Sequence, residues 1–121
     1  MTTHSNEGLN QQTWKLAEMG PIEAPRPISP EFNITLQFDE ELRIYGASAC
    51  NRYFATYYLD GPRLHFEHIA ATRMMCPEPA MALESDYFAA LEQVETYQLS
   101  IDRLTLYYDQ SLLLFRGEVT G

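Results

Sequence analysis

Two short stretches contain the residues best suited to chemistry: GASACNRYFA at 46–55 and TRMMC at 72–76. They include both cysteines of the 121-residue chain, Cys50 and Cys76. In an oxidising compartment, two cysteines in a small β domain most simply form a disulfide. Closing the loop between Cys50 and Cys76 would stabilise the fold by roughly 3.5 kcal/mol on the chain-entropy model. In a reducing cytosol they would instead be buried thiols of the core, and the sequence leaves both alternatives open.

Catalytic chemistry finds little support in the same stretches. A thiol-dependent enzyme or hydrolase would use Cys50 as nucleophile with a nearby histidine as base, and Ser48 lacks the G-x-S-x-G context of a serine nucleophile. His65 and His68 are three residues apart on a predicted strand, so they point to opposite faces and do not predict a zinc site. His68 falls on the apolar face and is interpreted as a core histidine. We therefore expect no catalytic residue, no cofactor and no bound metal.

The charge balance limits the classes of partner. Eight Lys and Arg residues oppose 17 Asp and Glu residues, for a net charge of −9. Such a chain repels phosphate backbones and anionic membranes, so nucleic acid is an unfavourable partner. No apolar run is long enough to span a bilayer, and the polar start of the chain does not resemble a signal peptide. We expect a monomer in the cytoplasm, or in the periplasm or cell envelope if a leader has been removed.

Period-2 alternation dominates the chain and predicts strands. Its clearest instance is Phe32, Ile34, Leu36 and Phe38, which alternate with polar residues. Residues 1–11 are predicted to be a disordered tail, 12–118 a single domain, and the proline-rich 20–30 an irregular connection. About eight short strands, mostly joined by tight turns, predict an α+β, mainly β fold: a curved antiparallel sheet or cracked barrel. The predicted strands are 13–19, 32–38, 42–47, 53–59, 64–69, 97–100, 104–108 and 112–116.

One helix is predicted, at about residues 79–95. Leu83, Tyr87 and Leu91 recur at helical spacing and predict its buried face. Glu84 and Glu92 are assigned to the solvent face. The helix interrupts the run of strands and is expected to cover part of the sheet.

The ordered sequence resembles the META domain, or HslJ-like, family. The resemblance rests on Trp14 and Leu16, GASACNRYFATYYLDG, IAATRMMC, the acidic helix and the closing DRLTLYYDQSLLLF, and covers about residues 13–116. Ala49 departs from the glycine that this family usually has immediately before Cys-Asn. If the backbone there needs positive φ, alanine is strained by about 1 kcal/mol or more. The signature residues of the resemblance are Gly46, Cys50, Asn51, Tyr53, Thr72, Met74 and Cys76.

The resemblance implies a mainly β fold with one helix, and biology related to stress or the cell envelope, without an agreed enzymatic activity. Asn51 is interpreted as satisfying backbone groups where the sheet bends, and Arg73 is expected to pair with an acid. Met74 and Met75 would either line a flexible apolar groove or belong to a buried segment. We expect a non-enzymatic domain that binds a protein partner or a small apolar ligand. The alternatives are an enzyme that uses Cys50 and a purely structural module of a larger assembly.

Overall fold

A computed structural model of the protein describes residues 8–118, which form nine strands and one α-helix. Short 3-10 turns at Leu9–Gln11 and Pro30–Phe32 precede β1 and β3. Helix α1 is Ala80–Leu91. The strands are β1 Thr13–Pro21, β2 Arg26–Pro27, β3 Thr35–Phe38, β4 Arg43–Ala47, β5 Arg52–Asp60, β6 Arg63–Ala71, β7 Thr96–Leu99, β8 Arg103–Tyr108 and β9 Ser111–Glu118.

All strand pairings are antiparallel and belong to one curved sheet, which confirms the predicted fold class. The order is β2-β1-β3-β4-β5-β6-β7-β8-β9, and β1 also pairs with β9 along its whole length. The weakest junction lies between β6 and β7, which share the single residue pair Arg63–Thr96. The sheet therefore curls until β1 pairs with β9, whereas only one residue pair joins β6 to β7.

The alternation seen in the sequence produces the core. Inward residues of the strands are buried, whereas their neighbours in sequence face solvent. Trp14 is fully buried, and its indole N–H donates to the Leu9 carbonyl at 2.9 Å. Helix α1 adds Leu83, Tyr87 and Leu91 to the same core. No helix in the described residues has the length and hydropathy that crossing a bilayer requires.

Two segments differ from the prediction. The proline-rich stretch was expected to be irregular but contributes the ninth strand, β2, through Glu18–Pro27 and Met19–Arg26 pairs. An edge strand tolerates proline because one side of its backbone needs no partner. Leu9–Gln11 was assigned to the disordered tail, yet it forms a turn and Leu9 is fully buried. Residues 1–7 of that tail lie outside the described residues.

The interpretation of His68 as a core residue is wrong. The register of β5 with β6 shifts between Phe54–Ala70 and Thr56–Glu67, so β6 carries an extra residue there. His68 takes a positive φ of 59° at this bulge and is exposed. The bulge reverses the alternation, so that Ile69 rather than His68 packs against the core.

Gly46 allows β3 and β4 to approach closely. A Cβ atom built on it would lie 2.1 Å from the Thr35 carbonyl oxygen, a backbone atom with little freedom to move. We expect Gly46→Ala to destabilise the protein by about 2 kcal/mol, because relieving this overlap requires a backbone shift. Urea unfolding measures the change.

Gly61→Asn is the matched control for that substitution. Gly61 has a positive φ, which asparagine tolerates, and no atom lies within 4 Å of a Cβ built there. An equal loss of stability in both variants would show that the close β3–β4 approach is not the cause.

Candidate functional site

The two cysteines are brought together by the fold. The Cys50 and Cys76 sulfur atoms lie at bonding distance, 2.10 Å, and the Cα atoms are 5.9 Å apart. The pair links the loop between β4 and β5 to the segment between β6 and α1. The sequence left a disulfide and two buried thiols as alternatives. The structure has the disulfide geometry, and neither cysteine is a free thiol.

Asn51 connects the same two segments through hydrogen bonds. Its Oδ1 accepts from the Met74 N–H at 2.6 Å and from the Thr72 hydroxyl at 2.9 Å. Its Nδ2 donates to the Met74 carbonyl at 3.2 Å. Asn51 therefore satisfies backbone groups, as interpreted from the sequence. These groups belong to the segment that follows β6 rather than to the loop that contains Asn51. Three signature residues, Asn51, Thr72 and Met74, form one network.

Glu84 of helix α1 completes this network. Its Oε1 accepts from the Ser48 hydroxyl at 2.6 Å and from the Asn51 N–H at 2.9 Å, and its Oε2 accepts from Asn51 Nδ2 at 2.9 Å. We call Ser48, Asn51, Thr72, Met74 and Glu84 the Asn51 cluster. Only 6% of Glu84 is exposed, so its assignment to the solvent face is wrong. The cluster joins the helix to both segments that the cysteines link.

The buried Glu84 carboxylate is held in its charged form. Burial alone would raise the pKa of Glu84, since desolvation penalises the charge. Hydrogen bonds from Ser48, the Asn51 side chain and the Asn51 and Cys50 N–H groups outweigh burial, and the pKa of Glu84 lies below its ordinary value. The carboxylate therefore acts as a charged acceptor that orders the loop.

The remaining signature residues support the same region. Tyr53 is fully buried. Its hydroxyl donates to the Thr35 carbonyl at 2.7 Å and contacts the hydroxyl of Tyr87 in α1. Burial raises the pKa of both Tyr53 and Tyr87 above the ordinary value, so both rings stay neutral. Ala49 has a φ of +82°, in the left-handed region that favours glycine.

The two histidines within residues 8–118 do not join this cluster. The His65 ring stacks on Tyr58, and its Nε2 lies 3.1 Å from Glu67 Oε2. The other carboxylate oxygen of Glu67 lies 3.8 Å from His68 Nε2. Cys50 is bonded to Cys76 rather than paired with a histidine base. Within residues 8–118, no group of three or more His, Cys, Asp or Glu side chains is placed to hold a metal ion.

A groove of about 570 Å³ opens beside the Asn51 cluster, between helix α1 and the end of β6. We call it the methionine groove. Met74 and Met75 are 58% and 85% exposed and stand on its rim. Arg73 also lines it and makes no ion pair within the described residues, in contrast to the pairing expected from the sequence. Its lining is Asn51, Ile69, Ala70, Ala71, Thr72, Arg73, Met74, Met75, Met81, Glu84, Ser85, Phe88 and Glu92.

The strain at Ala49 gives a testable expectation. Ala49→Gly should stabilise the protein by about 1 kcal/mol, because positive φ is costly for alanine and free of that cost for glycine. The control is Ala89→Gly on the exposed face of α1, where the same change should cost about 1 kcal/mol. Urea unfolding of the oxidised protein compares them, and a loss of stability in Ala49→Gly would contradict the assignment of strain.

The charge on Glu84 predicts a specific pH dependence. Because its folded pKa is below its unfolded value, its contribution is present above the ordinary glutamate pKa and is lost as pH falls through the folded pKa. At neutral pH, Glu84→Gln should therefore destabilise the protein by about 2 kcal/mol, the range for hydrogen bonds to a charged group.

The measurement is the unfolding free energy of both proteins across the acidic range. The difference between them should shrink as pH falls below the ordinary glutamate pKa and should be lost as pH falls through the lower folded pKa of Glu84. Asp86→Asn serves as the control, since Asp86 is exposed and pairs with Arg26 at the surface. A difference that stays constant with pH would refute the role of the Glu84 charge.

Comparisons with solved structures agree with this fold. A Burkholderia xenovorans protein solved by NMR is 24% identical over 96% of this chain and 88% of its own, with a TM-score of 0.79. A DUF4847 family protein from Bacteroides vulgatus, solved by crystallography, is 13% identical over 98% of this chain and all of its own, with a TM-score of 0.73. At these identities the likeness shows the fold alone. No curated protein is significantly similar in sequence.

The sequence profile of the META domain matches residues 7–119, which includes all of the signature residues and the whole of the described structure. The resemblance inferred from the cysteine stretches is thus confirmed over nearly the entire chain. On this evidence the protein belongs to the META domain family.

Proposed function

We propose that this META domain is a non-catalytic binding module that takes up an apolar group in the methionine groove. The observation that carries the proposal is the pair of exposed methionines, Met74 and Met75, on the rim of an open groove. Methionine is flexible and polarizable, and it is favoured on surfaces that adapt to apolar partners. A volume of about 570 Å³ lies within the range of small-molecule and side-chain binding sites.

The Asn51 cluster supports binding rather than catalysis. Both oxygens of Glu84 already accept hydrogen bonds, and its lowered pKa suits a permanent acceptor better than a proton donor. An enzyme that used Cys50 as nucleophile would first need its bond to Cys76 reduced. The polar cluster therefore holds the groove wall in place, and the groove provides the binding surface.

The proposal includes a setting in stress response or at the cell envelope. Its support is the family resemblance together with the disulfide geometry of Cys50 and Cys76, which oxidising compartments favour.

Binding of an uncharged fluorescent dye, N-phenyl-1-naphthylamine, tests the groove directly. The dye should bind the native protein, and the double variant Met74→Gln/Met75→Gln should weaken binding by about tenfold or more, because two apolar contacts are replaced by polar ones. Glutamine matches methionine in length, and both side chains are exposed, so the fold should be retained.

Ile101→Gln is the matched control. Ile101 is 89% exposed and lies outside the groove, so its replacement should leave dye affinity unchanged. Equal affinity in the native protein and the double methionine variant would overturn the proposal. An equal loss in the Ile101 variant would do the same, since it would indicate binding to scattered apolar surface.

A further inference from the structure

We infer that the occupant of the methionine groove is an extended peptide segment of a partner protein, which adds to the sheet as a new strand along the free edge of β6. This inference rests on the proposed binding function and specifies its ligand. Peptides bind in this way where a strand edge lies beside a groove, because the main chain supplies hydrogen bonds and the groove selects side chains.

One edge of β6 is paired and the other is largely open. On the paired edge, β6 contacts β5 from Arg63 to Ala71. On the other edge, its only residue pair with β7 is Arg63–Thr96. Two hydrogen bonds flank that pair, from the Leu64 N–H to the Glu95 carbonyl at 3.0 Å and from the Tyr97 N–H to the Pro62 carbonyl at 3.1 Å. Among the described residues, no strand pairs with this edge from His65 to Ala71.

The direction of the free main-chain groups follows from the register. The Thr72 N–H donates to the Arg52 carbonyl at 3.0 Å, so Thr72 faces β5. Successive residues of a strand face opposite edges, so the N–H and C=O groups of Ala71 face away from β5. Ile69, Ala70 and Ala71 line the groove. A donor and an acceptor are therefore presented where a peptide would lie.

The walls of the groove fit a peptide in extended conformation. Phe88 and Met81 of α1 form one side, whereas Met74 and Met75 rise from the segment that Asn51 and the disulfide hold. Alternate side chains of an added strand would point towards these apolar groups. The bulge at His68 twists the edge and restricts pairing to the short stretch beside the groove.

Charge selects the composition of the peptide. The groove lining carries the exposed carboxylate of Glu92 and the guanidinium of Arg73, on a chain with a net charge of −9. The third charged residue of the lining, Glu84, is buried and already hydrogen-bonded. Glu92 is exposed on the helix side and is free to meet a cation. The matching segment is therefore apolar at alternate positions and carries Lys or Arg beside them, and acidic peptides are disfavoured.

Selection of a phage-displayed random heptapeptide library on the oxidised chain tests the inference. We expect enrichment of β-prone sequences with apolar and basic residues. The most enriched peptide is then synthesised with N-methyl groups on alternate amides, in two complementary sets. The set that faces β6 should lose about tenfold or more in affinity, because its hydrogen bonds are blocked, and the other set should not.

Ala71→Pro provides the matching change in the protein. Proline removes the Ala71 N–H that faces the open edge, so peptide affinity should fall by about tenfold. If this variant does not fold, hydrogen exchange of the Ala71 amide in the unchanged protein replaces it, and peptide should slow that exchange by at least about tenfold.

The outcomes separate this inference from the proposed function. Dye binding that depends on Met74 and Met75, without any enriched peptide, would overturn the inference and leave a groove for a small apolar ligand. Equal effects of the two N-methylated sets, or an Ala71 amide whose exchange does not change, would also overturn it. If the native protein does not bind the dye, or if binding does not depend on Met74 and Met75, the proposed function itself is overturned.

Discussion

The Glu84 carboxylate and the loop that it orders form the interaction on which the rest of this region depends. An unpaired charge at 6% exposure would be strongly destabilising, but here it receives hydrogen bonds from Ser48 and from both the backbone and the side chain of Asn51. Because Glu84 lies in the only described helix and Asn51 in a loop between strands, this contact fixes where α1 sits on the sheet. The groove between α1 and β6 takes its width from that position.

Covalent and non-covalent links duplicate each other at this site. The disulfide joins residue 50 to residue 76, and the neighbouring Asn51 binds Thr72 and Met74. Both therefore attach the segment that follows β6 to the loop that follows β4. This duplication matters because the segment has no regular structure and carries two exposed methionines. An irregular segment with exposed apolar residues would otherwise be prone to local opening.

Much of the fold was predictable because most strands obey period-2 alternation, and their inward residues do form the core. The misassignments have local physical causes. Proline argued against β2, yet an edge position tolerates it. The bulge at His68 inserts one residue and reverses the inward face, which alternation alone does not reveal. Ala49 was identified from the family pattern, and its positive φ agrees with the strain expected there.

The candidate site was only half predictable. The cysteine stretches and Asn51 were recognised, but Glu84 was assigned to solvent because charged residues are seldom buried. Its spacing held a usable signal, since Glu84, Tyr87 and Leu91 lie on one helical face, three and four residues apart. A carboxylate in an apolar stripe indicates a buried acceptor.

A groove lined by Met74 and Met75 was one of two alternatives that the sequence left open. The sequence could not decide between them, because the groove exists only where β6 and β7 part. The sheet is continuous in its hydrogen-bonded order, yet β6 and β7 are joined through one residue pair. A sheet normally protects such an edge by shortening, twisting or covering it. Here α1 stands beside the edge and leaves a groove of about 570 Å³ between them. The same cluster that anchors α1 therefore fixes the groove beside this edge, so the stability of the region and the proposed binding depend on one set of hydrogen bonds.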